Sequence, residues 1–198
     1  MSTLEITAPI AVTVGKYLYH AVKKWWDKRG ENDQVKKNES IISNLLKEIE
    51  DLKNNLESKG KEEIGAEDIK LIQQKVLEVK SLGNVMKEDV TSMKAMNTWA
   101  DTSLEKATGT DVEELAEFYM YRLRNLIDKA NESGLKRKKK EELQELLVSI
   151  DVNANRFLEA EKKAKLRPTP ENKGAYTDTE YTLKDTLEYA RDALRQFG

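Results

Sequence analysis

The sequence contains no cysteine and only one histidine, His20. Without cysteine the chain has no disulfide, no thiolate nucleophile and no cysteine-ligated zinc. A nucleophile–base pair or a histidine metal site would depend on His20 alone. We therefore interpret His20 as an ordinary helix-surface or half-buried histidine. We predict that the chain is not an enzyme and uses no metal or cofactor.

Glycine and proline are also sparse, with nine and three residues. The glycines are isolated at the ends of predicted helices, so no glycine-rich loop is spaced to hold a phosphate. No run of alternating β-branched residues predicts a strand. The most apolar N-terminal segment, residues 6–22, is interrupted by Pro9, Gly15, Lys16 and His20. It is too short to span a membrane and lacks the basic start of a signal peptide.

The chain has almost no net charge, because 34 Lys and Arg nearly balance 36 Asp and Glu, giving a formal charge of −2. No overall field therefore selects nucleic acid as a partner. Charged residues make up 35% of the sequence, but the apolar residues recur at helical spacing rather than being scattered. This pattern predicts folded helices with charged outer faces.

The predicted fold is all-α, an up-and-down bundle of four to five amphipathic helices with a C-terminal brace-like helix. The clearest helix carries apolar residues three and four positions apart and is closed by Gly60; they are Ile42, Leu45, Ile49, Leu52 and Leu56. We predict a bundle over residues 1–166, a Pro/Gly-containing linker over 167–176 and a C-terminal helix over 177–198 that packs on the bundle.

Several helix boundaries follow from local signals. Thr7 and Pro9 predict the start of the first helix, which ends near Gly30. A helix that begins after Gly65 could continue past Gly83. Two capping boxes, Thr110–Glu113 and Thr177–Glu180, predict the starts of two further helices. The stretch Ser133–Gly134 predicts the end of the first of these. The helix between them follows a basic run and ends before Pro168.

The first helix mixes aromatic and basic residues in a way suited to the surface of an anionic bilayer. Its candidate lipid- or partner-binding residues are Lys16, Lys23, Lys24, Trp25, Trp26, Lys28 and Arg29. Adjacent helical residues point about 100° apart, so Trp25 and Trp26 cannot both face the same core. The alternative is a core helix with a basic outer face.

A second candidate site is a run of five cations in the first turn of a helix: Lys136, Arg137, Lys138, Lys139 and Lys140. Cations at a helix N-terminus oppose the helix dipole, which favours an anionic ligand such as lipid phosphate. The alternatives are a solvated loop and a nuclear import signal. Nucleic-acid binding is disfavoured because no aromatic residues for base stacking are interleaved with the run.

The order of elements resembles the HeLo/RPW8-type four-helix bundles of cell-death proteins, including the N-terminal bundle and brace of mixed lineage kinase domain-like proteins. The likeness lies in residues 42–87, where Leu45, Leu46, Ile49, Leu52 and Leu56 precede a basic loop at Lys59-Gly60-Lys61 and a partner helix from Ala66. The resemblance implies a bundle that oligomerises and perturbs membranes. We recognise no kinase, nucleotide-binding or repeat pattern after the bundle in this sequence, so the resemblance leaves the trigger open.

Two functions follow as expectations. The first is a non-catalytic bundle that self-associates and engages anionic membrane lipids from the cytoplasm. The second is a soluble adaptor or scaffold that binds a protein partner through a helix face. The two functions require different environments for Trp25 and Trp26. An adaptor requires both side chains to be buried against other helices or an oligomer interface, whereas membrane binding requires them to contact lipid.

Overall fold

The computed structural model describes residues 5–133 and 136–197, and the side chains of all of these except 131–133. Every regular element in these ranges is helical, so the predicted all-α helical bundle is confirmed. The α-helices are α1 (Ala8–Asp27), α2 (Asp33–Lys37), α3 (Glu39–Ser58), α4 (Ala66–Met86), α5 (Met93–Lys106), α6 (Thr110–Ser133), α7 (Arg137–Leu166) and α8 (Pro170–Phe197), with a 3₁₀ turn at Lys61–Glu63.

The chain divides into two compact units, residues 1–100 and 101–198, and the division falls within α5. This differs from the predicted bundle over residues 1–166. Each unit has its own buried apolar residues, which is what an independent core requires.

In the first unit, α1 packs against α3 and α4, and α2 also contacts both of them. The N-terminal half of α1 is buried around its whole circumference, from Ile10 to Gly15. A helix that is apolar all round is stabilised by burial rather than by one face. The predicted stripe of α3 is buried at all five of its positions, so this helix is confirmed.

In the second unit, α6, α7 and α8 pack pairwise. Helices α7 and α8 form an antiparallel hairpin: the Asn153 side-chain amide donates to the Thr186 hydroxyl at 2.9 Å, and the Phe157 and Tyr176 rings lie 5.4 Å apart. The C-terminal helix therefore packs on α6 and α7 with Leu183, Leu187 and Ala190 buried.

The predicted linker over residues 167–176 is mostly helix, because α8 begins at Pro170. Pro170 suits a first helical position, where its missing N–H costs nothing. The Thr169 hydroxyl accepts from the Asn172 N–H at 3.2 Å and caps the helix. The predicted cap Thr177 lies inside α8, where its hydroxyl donates to the Lys173 carbonyl at 3.1 Å.

The helix that begins after Gly65 does not continue past Gly83 as far as Met93. It ends at Met86, where Lys87 adopts a left-handed conformation with φ of 58°. A new helix, α5, follows after Ser92, whose hydroxyl accepts from the Ala95 N–H at 3.2 Å. Further along, α6 begins at Thr110 as predicted, α7 ends at Leu166 before Pro168 as predicted, and Gly134 lies outside the described residues.

Candidate functional site

The predicted aromatic lipid anchor Trp25 is a core residue, with 0% of its surface exposed. Its indole N–H donates to a carboxylate oxygen of Glu88 at 2.7 Å. A buried indole N–H needs such a partner, because leaving it unpaired costs free energy. In this fold Trp25 therefore presents no surface to a membrane, unlike the lipid contact expected from the sequence.

Gly83 creates the space beneath Trp25. A Cβ atom at this position would lie 2.6 Å from the Glu88 carbonyl oxygen and 3.7 Å from the Trp25 ring. The Glu88 N–H also donates to the Gly83 carbonyl at 2.8 Å, which closes the end of α4 as helix C-caps commonly do. Trp25, Gly83 and Glu88 thus form one interlocked contact between α1 and the end of α4.

Tyr17 lies two turns before Trp25 on α1. It makes a second contact between α1 and the connection over residues 87–92, in addition to the one between Trp25 and Glu88. Its hydroxyl donates to the Val90 carbonyl, and its ring lies 5.6 Å from the Trp99 ring. Burial, with a smaller contribution from the charge of Asp89, raises the pKa of Tyr17 to about 12. Sequence analysis missed this role because Tyr17 and Val90 are 73 residues apart, and local spacing carries no information about such contacts.

The other predicted residues of α1 lie at least partly at the surface. Lys16 forms an ion pair with Glu57 at 3.7 Å, and Lys23 with Asp27 at 2.5 Å. Lys24 is exposed and Lys28 is half-buried. Exposed pairs of this kind contribute little stability, so these cations mainly set the surface charge at the end of α1.

Trp26 is half-buried, unlike its neighbour. The Arg29 guanidinium lies 4.3 Å from the centre of the Trp26 ring, and Arg29 also approaches Glu39 at 4.0 Å. Of the two tryptophans in the predicted surface, only Trp26 is therefore accessible, and Arg29 partly covers it.

The second predicted site, Lys136–Lys140, is intact at the start of α7, and we call it the basic end. Lys136, Arg137, Lys138 and Lys139 are exposed and Lys140 is half-buried. Arg137 pairs with Glu141 at 2.8 Å, and the Lys139 ammonium lies 5.0 Å from the Phe197 ring. Lys136 occupies the N-cap position and makes no side-chain cap hydrogen bond.

A polar cluster that sequence analysis did not find lies in the second unit around Asp101. This carboxylate accepts from the Tyr119 hydroxyl at 2.8 Å and pairs with Arg195 at 3.2 Å. Burial, and then the hydrogen bond to Asp101, raises the pKa of Tyr119. Burial also lowers the pKa of Arg122, which feels the charge of Asp101. These contacts link α5, α6 and α8 and have a structural role.

Another missed feature is the outer side of α8, which carries residues spaced three and four apart: Asp178, Tyr181, Asp185, Glu188 and Asp192. We call this stripe the acidic face. Tyr181 is 70% exposed, and Tyr189 beside the stripe is 74% exposed. The stripe lies opposite the buried residues Leu183, Leu187 and Ala190, so its spacing was available as a sequence signal.

His20 is exposed on α1, the first of the two positions expected for it. Among the side chains of residues 5–130 and 136–197, no three His, Asp or Glu are grouped so as to hold a metal ion. None of the helices in the described part of the chain has a stretch long and apolar enough to cross a bilayer.

Comparison with protein-family models, curated proteins and solved structures found no match to this chain. The HeLo/RPW8-type resemblance therefore stays a prediction.

Proposed function

We propose that this chain is a non-catalytic helical adaptor that binds a protein partner through an exposed face of its second unit. The observation that carries the proposal is the burial of Trp25, whose indole N–H is bonded to Glu88. Lipid binding through Trp25 would require this contact and the Gly83 packing to break. The adaptor function leaves the fold as it is.

The exposed tyrosines of α8 support the same proposal. Tyrosine is enriched at protein interfaces because its ring supplies contact area at low entropic cost and its hydroxyl tolerates water. Tyr181 and Tyr189 are strongly exposed, and Val148 and Val152 on α7 are exposed as well. The second unit thus presents both apolar contact area and charge to a partner.

A second candidate function is peripheral membrane binding through the basic end, as the resemblance to cell-death bundles implies. The observation that favours it is the exposure of Lys136–Lys139 at a helix N-terminus, where their charge opposes the helix dipole. Anionic lipid would relieve this repulsion, and each cation near such a surface contributes about 1 kcal/mol of binding free energy.

Co-sedimentation with liposomes distinguishes the two functions. We expect the full chain to stay in the supernatant with neutral vesicles and also with vesicles that contain phosphatidylserine or cardiolipin at low salt. Pelleting that depends on anionic lipid and disappears at high salt would overturn the adaptor proposal in favour of membrane binding.

A further inference from the structure

We propose that the acidic face of α8 binds the basic end of α7 from a second copy of this chain. The inference rests on the proposed adaptor function and names the partner. It starts from a separation of charge: a nearly neutral chain places five consecutive cations at one exposed helix start and four acids on one exposed helix stripe. Low net charge also removes the general repulsion that keeps copies apart.

The acidic face is open to a partner over most of its length. Asp178 and Asp185 make no ion pair with any described residue, whereas Asp192, at the other end of the stripe, pairs with Arg191 at 3.1 Å. Lys184, which lies beside the stripe, is directed elsewhere and donates to the Ala107 carbonyl at 2.9 Å. The N-terminal part of the face, around Tyr181, therefore has uncompensated negative charge.

The basic end cannot reach this part of the face within one copy. In the antiparallel α7–α8 hairpin, Lys139 lies level with Phe197, the last residue of α8. Asp185 lies twelve positions earlier, which at 1.5 Å per residue is roughly 18 Å along the helix axis. A lysine side chain does not span that distance, so the contact must form between two copies.

The chemistry of the two surfaces is complementary beyond the sign of their charge. Carboxylates of the acidic face pair with lysine ammonium groups, and the exposed rings of Tyr181 and Tyr189 offer faces to the same cations. Lys139 already makes this kind of contact with Phe197. A single contact between these two different surfaces is heterologous and generates a ring or an open chain of copies, whereas a two-fold symmetric dimer would form the same contact twice, reciprocally.

Sedimentation velocity of the full chain, without lipid, tests the proposal over a concentration series at low and high salt. We expect association at low salt that high salt removes. Two variants each reverse one surface: Lys136→Glu, Lys138→Glu and Lys139→Glu at the basic end, and Asp178→Lys, Asp185→Lys and Glu188→Lys on the acidic face. Each variant alone should be monomeric, and an equimolar mixture should associate again.

A control for the acidic-face variant carries the same change of net charge on the first unit, with Glu31→Lys, Glu50→Lys and Asp51→Lys, and all three positions are exposed. It should associate like the wild-type protein. A second control, Tyr181→Ala with Tyr189→Ala, leaves charge unchanged and should weaken association severalfold. Circular dichroism verifies that each variant is folded.

The proposal is overturned by a wild-type chain that is monomeric at every concentration, by either single-surface variant associating like wild type, or by a mixture that stays monomeric. It is also overturned if the control on the first unit abolishes association. If the chain is monomeric in sedimentation velocity and stays in the supernatant of the liposome assay, only the proposed self-association is contradicted. If it pellets with anionic vesicles, the adaptor function is contradicted.

Discussion

Trp25 and Trp26 are adjacent in the sequence and have opposite environments. Trp25 is fully buried and hydrogen-bonded, whereas Trp26 is half-buried under Arg29. The 100° between successive helical residues explains the difference. From composition alone, the two residues form one aromatic patch. On the folded helix, Trp25 lies in the core and Trp26 lies at the surface.

This difference predicts unequal effects on stability. We expect Trp25→Ala to lower the free energy of unfolding by about 3–5 kcal/mol, since it leaves a large cavity and an unpaired Glu88 carboxylate. Trp26→Ala should cost about 1 kcal/mol or less, the value of an exposed cation–π contact. Urea denaturation followed by circular dichroism measures both, and equal losses would contradict the assigned environments.

Tyr17 gives a prediction on pH. Its pKa of about 12 in the folded chain lies above the ordinary value of 10.0, so the folded state favours the neutral phenol. The contribution of the neutral Tyr17 hydroxyl to the free energy of unfolding is fully present below pH 10 and is lost as the pH rises from 10 to about 12. Tyr17→Phe should therefore flatten the alkaline decline in unfolding midpoint over that interval.

Thermal unfolding of wild-type protein and of Tyr17→Phe between pH 9 and pH 12 measures the decline in unfolding midpoint. This range covers the pKa values of about 10 in the unfolded chain and about 12 in the folded chain. Tyr19 supplies a matched control, because it lies on the same helix and is only half-buried. If Tyr19→Phe flattens the decline as much as Tyr17→Phe does, the special role of Tyr17 is contradicted.

At the scale of elements, the end of α4 depends on a close approach that only glycine allows. Gly83→Ala would put a Cβ atom 2.6 Å from the Glu88 carbonyl oxygen, and we expect it to destabilise the chain by about 1–3 kcal/mol despite the better helix propensity of alanine. Gly174→Ala in α8 is the control, since nothing lies within 4 Å of its Cβ position. This change should stabilise by about 0.5–1 kcal/mol.

Thermal melts of the two alanine variants against wild type give the sign of each effect. Gly83→Ala should melt at a lower temperature and Gly174→Ala at a higher one. A Gly83→Ala variant that melts at or above the wild-type temperature would mean that the turn at Glu88 adapts without cost.

Helices with a strong apolar stripe were predictable from the sequence, and helix ends held by distant contacts were not. The stripe of α3 and the end of α7 before Pro168 are local patterns, and the structure confirms them. The break between α4 and α5 depends on Tyr17 and Trp25, which are distant in sequence. The buried residues Met96, Ala100 and Leu104 do follow a helical spacing that could have indicated α5.

The start of α8 shows a second limit of local signals. Thr177 and Glu180 match a capping box, but Thr169 and Pro170 provide a cap eight residues earlier, and helix propagation from there includes Thr177. Glu180 instead accepts from the Gly109 N–H at 3.2 Å. A motif alone does not decide which of two competing starts the chain uses.

For the whole molecule, net charge conceals where the charges lie. A formal charge of −2 indicates no preferred partner, yet the second unit carries a basic end and an acidic face on two different helices. The basic end was predictable because its cations are consecutive. The acidic face was not recognised, because its acids are separated by residues of the buried stripe and become neighbours only on the folded helix.

The variant with Lys136→Glu, Lys138→Glu and Lys139→Glu should keep its fold, because all three side chains are exposed. Acids near the start of α7 suit the helix dipole by about 0.3–1 kcal/mol each, while repulsion between the new carboxylates and Glu141 or Glu142 offsets part of this gain at about 0.2–0.5 kcal/mol per pair. Helicity measured by circular dichroism should therefore hold or rise slightly, and the melting temperature should stay near that of wild type. A clear loss of helicity would mean that these cations stabilise the second unit, and the basic end would then have a structural role in place of a binding one.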